Sequence, residues 1–337
     1  MIKSYLIHLS MNMWEDNVPA SLAQVKPEDF YYYANRQRIP KHFLDRAWSN
    51  ELQCQDSMWR KLTEKFAACG GNMLIVDIGD GIVLQGHPEI AVSGAWSRKK
   101  WREEAKRCRD LGLELIPKFN FSSCHDAWMR QYSRMLSTPE YYRFCYDIIA
   151  EAAELFDAPR FFHIGMDEEN IDNQKNFEYA VVRQGRLWWS DLNFYFEEVR
   201  KVGARPWMWS DKLWTTPDEE YAAHIPLDVI QSNWYYSDVF EFPETPEGWL
   251  AQGQKKFVDA YRRLNNLGYD QIPVGSNWAF TNNYGLNAAY CERTLPREKL
   301  LGFGIAPWYA TSEDNAEILL EACDQVKAYH GGTARGT

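Results

Sequence analysis

A closed (β/α)8 barrel in a single domain is the fold this sequence predicts, and three observations carry it. Eight short β-rich stretches, most of them continuously apolar, recur along the 337 residues. Helical segments or long connections separate them, and no composition break or Gly/Ser linker divides the chain. Alternation of strand and helix implies a parallel sheet. Eight such units in a chain of this length fit a barrel whose right-handed crossovers put the helices outside. An open doubly wound sheet is the alternative. It lacks support, because no Gly-x-Gly-x-x-Gly follows the first strand to mark a dinucleotide site.

The elements follow in order. Tyr5 to Met11 is the opening strand, ending in Asn12, Trp14, Glu15 and Asp16. A long irregular insertion around residues 15–50 carries Tyr31-Tyr32-Tyr33; loops of this length tend to be functional or to hold small structure of their own. Asp56 is the expected cap of a helix reaching Cys69, with Met58, Leu62 and Phe66 at helical spacing and Gly70-Gly71 as the stop. Asn72 to Ile78 is too apolar for a half-exposed strand, so it is buried on both faces; Gly79-Asp80-Gly81 follows. A helix over 97–111 leads to the third strand, Leu113 to Phe119, whose end carries Asn120, Cys124 and His125. Thr138-Pro139 caps and opens the next helix, which delivers the chain to Phe161–Met166. Strands at Arg205–Asp211, Asp228–Trp234, Ile272–Trp278 and Leu300–Trp308, with helices near 186–202, 247–267 and 313–329, complete the set.

The stretch that organises the reading is Phe161-Phe162-His163-Ile164-Gly165-Met166-Asp167-Glu168-Glu169. An apolar strand breaks into three carboxylates where, in a barrel, the chemistry sits. The bland alternative is a solvated acidic turn. The other predicted strand ends collect Asp80, His125, Trp209, Asp211, Trp234, Trp278 and Trp308. Tryptophans on four strands around carboxylates describe a cleft that stacks sugar rings, and the aromatic fraction of 15% agrees. Most glycosidases place two carboxyl groups on opposite sides of the bond. Here strand seven ends Gly275-Ser276-Asn277-Trp278 without an acid, and the two strong candidates, Asp167 and Glu168, are neighbours. That pattern suits substrate assistance: the 2-acetamido oxygen attacks the anomeric carbon, one carboxylate orients the amide, and the other protonates the leaving oxygen.

The segment His163-Ile164-Gly165-Met166-Asp167-Glu168 resembles the His-x-Gly-x-Asp-Glu motif of glycoside hydrolase family 20, the β-N-acetylhexosaminidases. Leu111 to Pro117 is similar to that family's third strand, after which His125 matches its active-site histidine, and Trp209-Ser210-Asp211 resembles its strand-five Trp-x-Asp. The resemblance implies an exo-acting retaining enzyme. Asp167 would orient the acetamide and stabilise an oxazolinium-like intermediate. Glu168, with a raised pKa, would be general acid and then base, and Asp80 and His125 would form a supporting network around it. Trp234 and Trp308 fall where the family has acetamide-pocket and stacking tryptophans, and Tyr284 is the nearest match to its acetamide-binding tyrosine. His163 reads as structural. Three departures stand out. Met11-Asn12-Met13-Trp14 replaces a strand-one arginine that grips distal hydroxyls, Trp308-Tyr309-Ala310 replaces Trp-x-Glu, and the small α/β domain that usually precedes the barrel is missing.

Composition excludes other classes. A net charge of −10 and a pI near 5.3 argue against nucleic acid. No run approaches the ~20 apolar residues of a membrane span. Met1-Ile2-Lys3-Ser4-Tyr5 lacks the design of a signal peptide, so the expectation is a cytoplasmic protein, or a periplasmic or secreted one if the sequence is a trimmed piece. Seven scattered cysteines read as reduced, mostly buried thiols; Cys124 beside His125 is the one thiol–imidazole candidate. No cofactor or metal is expected. The expected partner is a 2-acetamido-sugar glycoside, and exposed aromatics such as Tyr235-Tyr236 suit either a subsite or a homo-oligomer interface. Two other functions compete: a non-catalytic carbohydrate-binding protein, and a metal-dependent hydrolase using Asp80, His125 and Asp211. The latter has no His-x-His or Glu-x-x-His clustering behind it.

Overall fold

The computed structural model describes residues 1–14, 48–175, 177–278 and 281–332. Most of the insertion predicted around 15–50 lies outside these residues. Eight parallel strands form one sheet: β1 (Ile2–His8), β2 (Met73–Asp77), β3 (Glu114–Lys118), β4 (Phe161–His163), β5 (Arg205–Trp209), β6 (Ile230–Ser232), β7 (Val274–Gly275) and β8 (Gly302–Ile305). The ladder runs β6-β5-β4-β3-β2-β1-β8-β7, and the bridges Gln231↔Gln271 and Trp234↔Val274 join its two ends. The predicted (β/α)8 barrel is the observed fold.

One major helix follows each strand: α1 (Asp56–Ala68), α2 (Arg98–Asp110), α3 (Pro139–Leu155), α4 (Gly185–Lys201), α5 (Asp218–His224), α6 (Trp249–Asn266), α7 (Tyr284–Thr294) and α8 (Ala316–Gly332). Local chemistry explains their starts. Thr138 Oγ1 accepts the Tyr141 N–H ahead of Pro139, and Ser97 does the same for Lys100 in α2. Asp56 is not the cap of α1. Gln55 holds that position without a side-chain bond, while Asp56 sits in the first turn and pairs with Lys100 at 2.6 Å.

The hydrophobic core has two layers. A large one joins strands to helices, and a smaller one, including Leu6, Ile75, Ile116, Trp207, Trp209 and Ile230, fills the barrel. Above the inner layer, one register row crosses four strands with side chains that no apolar-strand reading anticipates. His8 pairs with Asp77, Asp77 with Lys118, and Lys118 with His163. All four are buried. Lys118 Nζ lies 2.5 Å from Asp77 Oδ2, and His8 Nδ1 is 3.4 Å from the same oxygen. Such a charge survives burial only when paired. The seven cysteines form no disulfide, and all but half-buried Cys69 are buried, as expected.

Candidate active site

The acidic segment is built by an abrupt change of backbone. β4 ends at His163, and Gly165, Met166 and Glu168 then take positive φ values of 68°, 77° and 58°. Only Gly165 has no Cβ to place: one there would come within 2.1 Å of Asn120 Oδ1. Three left-handed residues in four, two of them not glycine, are the local strain that functional sites store.

Asn120, two residues beyond Lys118, holds this turn. Its Oδ1 accepts the N–H groups of Met166 and Ser122, both at 3.1 Å, and its Nδ2 donates to Asp167 Oδ1 at 2.8 Å. Asp167 is only 8% exposed, whereas the Glu168 side chain is 41% exposed. His125 bridges the two, with Nδ1 3.3 Å from Asp167 Oδ1 and Nε2 3.4 Å from Glu168 Oε2. Trp14 stands edge-on against its ring at 5.6 Å. Burial disfavours the His125 cation, but the charge of Asp167, then that of Glu168, raises its pKa to about 10. Burial likewise penalises the Asp167 anion. The His125 charge, together with Lys118 and the Asn120 hydrogen bond, outweighs that and holds its pKa at about 2. Asp167 is thus an anion beside an imidazolium.

The Glu168 backbone is pinned at both ends. Its N–H donates to Asp211 Oδ2 at 2.9 Å, and its carbonyl accepts from Asn170 and Asn173 at 3.0 and 2.9 Å. Burial, then the negative charge of Asp167, pushes Asp211 up to about 7. Glu169 does not belong to a solvated turn. Its side chain is 1% exposed and receives the Arg183 guanidinium at 2.6 Å, and Arg183 also reaches Asp191, Tyr195 Oη and the Phe121 carbonyl. This buried clamp ties the β3 and β4 loops to α4. Neither Asn120 nor Arg183 was singled out as a site residue in the sequence. Asn120 carried only its place at a strand end, and Arg183 carried no signal.

The remaining predicted site residues divide. Asp80 is buried after β2, but its bonds come from Ser10 Oγ at 2.5 Å and Asn12 Nδ2 at 2.9 Å, not from the Glu168 network. Burial raises its pKa to about 6 against those bonds. Trp209 is wholly buried and forms the floor with His163 at 4.5 Å and Trp308 at 5.9 Å, so it packs the barrel rather than walling a cleft. Trp308, half-buried with φ of 62°, donates its indole N–H to Tyr236 Oη at 2.8 Å, and Trp234 lies 5.3 Å from Tyr236. These aromatics form one wall. Trp278 is half-buried at the end of β7, with its backbone N–H on Ser276 Oγ. Tyr284 is not at the mouth. Its hydroxyl is buried against His330 Nε2 at 2.9 Å, near Lys3 and the amino terminus at the opposite end of the barrel.

His163 has the structural role expected. Its Nδ1 accepts the Gly165 N–H at 3.0 Å, and burial, then the Lys118 charge, keeps its pKa well below normal. Cys124 is no nucleophile, because burial pushes its thiol to about 12 and its Sγ donates to the Asn170 carbonyl. Asp80, His125 and Asp211 are not gathered into one metal site. Among the described residues, the only three such ligand atoms close together belong to His125, Asp167 and Glu168. There the imidazole turns one nitrogen to each carboxylate, the geometry of a protonated bridge.

Comparison with solved structures agrees with this barrel. A β-N-acetylhexosaminidase of glycoside hydrolase family 20 from Streptomyces coelicolor is 14% identical, with a TM-score of 0.60 over 97% of this chain and 63% of that one. The fold is the one used by family 20 enzymes. A β-N-acetylhexosaminidase from Bacteroides fragilis gives 12% identity and a TM-score of 0.58, covering 97% of this chain and 65% of that one. Dispersin B gives 15% and 0.56, covering 82% and 95%. This chain therefore spans slightly less than two thirds of the Streptomyces and Bacteroides proteins. No family model and no curated protein matches its sequence. No described helix is long and apolar enough to cross a membrane.

Proposed function

We propose that the chain is a retaining glycoside hydrolase of the β-N-acetylhexosaminidase kind, cleaving a terminal 2-acetamido sugar with the substrate's own amide as nucleophile. One observation carries the reading: Asp167 and Glu168 are adjacent yet differ in setting. Asp167 is buried, anionic and held by Asn120 and His125, while Glu168 reaches solvent. A fixed anion suits stabilisation of developing positive charge, and an accessible carboxyl suits proton exchange. The motif and the shared fold support the same assignment.

In this scheme the acetamido carbonyl oxygen attacks the anomeric carbon as the bond to the glycosidic oxygen breaks. The electron pair leaves on that oxygen, which takes the Glu168 proton. Asp167 accepts the amide N–H and balances the positive charge of the oxazolinium ring. Water then gives a proton to Glu168 as its oxygen attacks the anomeric carbon, reopening the amide and restoring the acid. Two inversions leave the configuration retained. A protein nucleophile on β7 has no counterpart: Ser276 and Asn277 stand there, and Asn277 Nδ2 donates to the Ile318 carbonyl and to Glu321.

The test is hydrolysis of aryl 2-acetamido glycosides against their 2-hydroxy and 2-amino counterparts, by wild type, Asp167→Asn and Glu168→Gln. Turnover is expected for the acetamido sugars alone, with kcat reduced roughly 10²–10⁴-fold in Glu168→Gln. Equal rates for 2-hydroxy sugars would overturn substrate assistance. Sugar binding without turnover of any substrate would favour the second reading, a carbohydrate-binding protein on a glycosidase-like barrel. One observation favours that reading: Asn12, in the stretch that stands where the resembling family has its strand-one arginine, is engaged by Ser49 and Asp80.

A further inference from the structure

Glu168 can act as an acid only if its carboxyl is aimed and its proton retained, and both requirements point to one neighbour. Asp211 opens the turn after β5, and its Oδ2 accepts the Glu168 N–H at 2.9 Å. This is the bond that reaches the Glu168 backbone from across the site, while the bonds to its carbonyl come from its own loop. It holds a residue whose φ of 58° lies outside the region a glutamate prefers. The other oxygen, Asp211 Oδ1, is buried without a hydrogen-bond partner among the described residues. A carboxyl so placed can carry a proton on Oδ1 while Oδ2 continues to accept the amide.

We propose that Asp211 is a positioning residue for Glu168: its Oδ2 fixes the backbone that aims the acid, and its own negative charge helps keep the proton on Glu168. The inference rests on the reading of Glu168 as the general acid. The groups facing Asp211 are Asp167 and Glu168 from the β4 loop and Tyr221 from α5, with the His125 cation beyond the two carboxylates. Asp167, held at about 2, stays ionised through the working range. With Asp211 rising to about 7, its charge is absent in mild acid and present in mild alkali. The charge is therefore present where Glu168 most needs help to stay protonated.

The experiment uses the whole chain, as wild type, Asp211→Asn and Asp211→Ala, with kcat and KM for an aryl 2-acetamido glycoside measured from pH 4 to 9. In parallel, the Glu168 carboxyl is titrated by carbon-13 NMR, which needs no substrate. Asparagine keeps an acceptor for the Glu168 N–H and removes the charge. Asp211→Asn is expected to match wild type below about pH 6 and to lose its alkaline limb roughly one pH unit earlier, with KM unchanged. The Glu168 titration should fall in the same direction. Asp211→Ala, which removes the acceptor as well, is expected to lower kcat roughly 10–100-fold at every pH with little change in KM.

Superposable pH profiles and Glu168 titrations for wild type and Asp211→Asn would overturn the role of Asp211 alone. An effect of Asp211→Ala confined to KM would do the same, because it would make Asp211 a sugar contact. A wild type inactive on every glycoside would instead overturn the acid assignment of Glu168, and this inference with it. If Asp211→Ala fails to fold, the Asp211→Asn profile and titration still decide the matter.

Discussion

The two halves of the barrel mouth are built differently. On the β3–β5 side the polar groups named here gather around the acidic segment: Asn120 and His125 hold Asp167, Asp211 holds Glu168, and Arg183 buries Glu169. On the β6–β7–β8–β1 side the polar groups named here are used by the scaffold. Asn12 bonds Ser49 and Asp80, and Asn277 bonds α8, leaving an aromatic wall of Trp308, Tyr236 and Trp234. In the proposed function the first half carries the reaction. There the second half would select the sugar, and its residues depart from the family pattern the sequence resembles.

Four substitutions would break or sharpen this contrast. The largest effect is expected at Arg183, whose loss strands Glu169 and Asp191 in the interior: Arg183→Met should cost roughly 3–5 kcal/mol in denaturant unfolding. Asp211 comes next, through linkage. Its folded pKa of about 7 exceeds the unfolded carboxylate value, so the native state binds the extra proton and stability falls as pH rises through that window. Asp211→Asn should therefore unfold like wild type near pH 4 and be more stable by up to about 3 kcal/mol at pH 8, in matched melts. Asn120→Ala, which frees Asp167 and the Met166 amide, should lower kcat roughly 10–100-fold and leave KM nearly unchanged. The smallest effect belongs to the aromatic half. Tyr236→Phe removes the partner of the Trp308 indole and should raise KM a few-fold, about 1 kcal/mol, without moving the pH profile.

Much of the first half was legible in the sequence, and the reason is physical. Buried parallel strands are continuous apolar runs, so all eight were visible, and the break from Met166 into Asp167-Glu168 marked the strand end that matters. His125 was picked out at the end of the third strand, and the structure sets it between Asp167 and Glu168. Strand ends were read too long, Phe161–Met166 against Phe161–His163, because Gly165 and Met166 stay buried after leaving the ladder. The two short or weakly patterned helices, Asp218–His224 and Tyr284–Thr294, were not read. Missing the second left Tyr284 assigned to the mouth, when its helix turns the hydroxyl toward the far end. Charges inside the barrel were invisible too. Lys118 looks like a strand edge until Asp77 on the next strand pairs with it, and Arg183 has meaning only once Glu169 and Asp191 meet around it. Pairing between distant segments leaves no local pattern.

The most direct measurement of the central claim is calorimetric binding of a sugar thiazoline, which mimics the ring formed when the acetamide attacks, to wild type and Asp167→Asn. Transition-state mimics bind at least roughly 10²-fold more tightly than substrates. Substrate assistance predicts thiazoline binding at least that much tighter than the parent N-acetyl sugar, with the advantage lost in Asp167→Asn. Equal affinity of wild type for thiazoline and parent sugar, or thiazoline binding unchanged in Asp167→Asn, would contradict it.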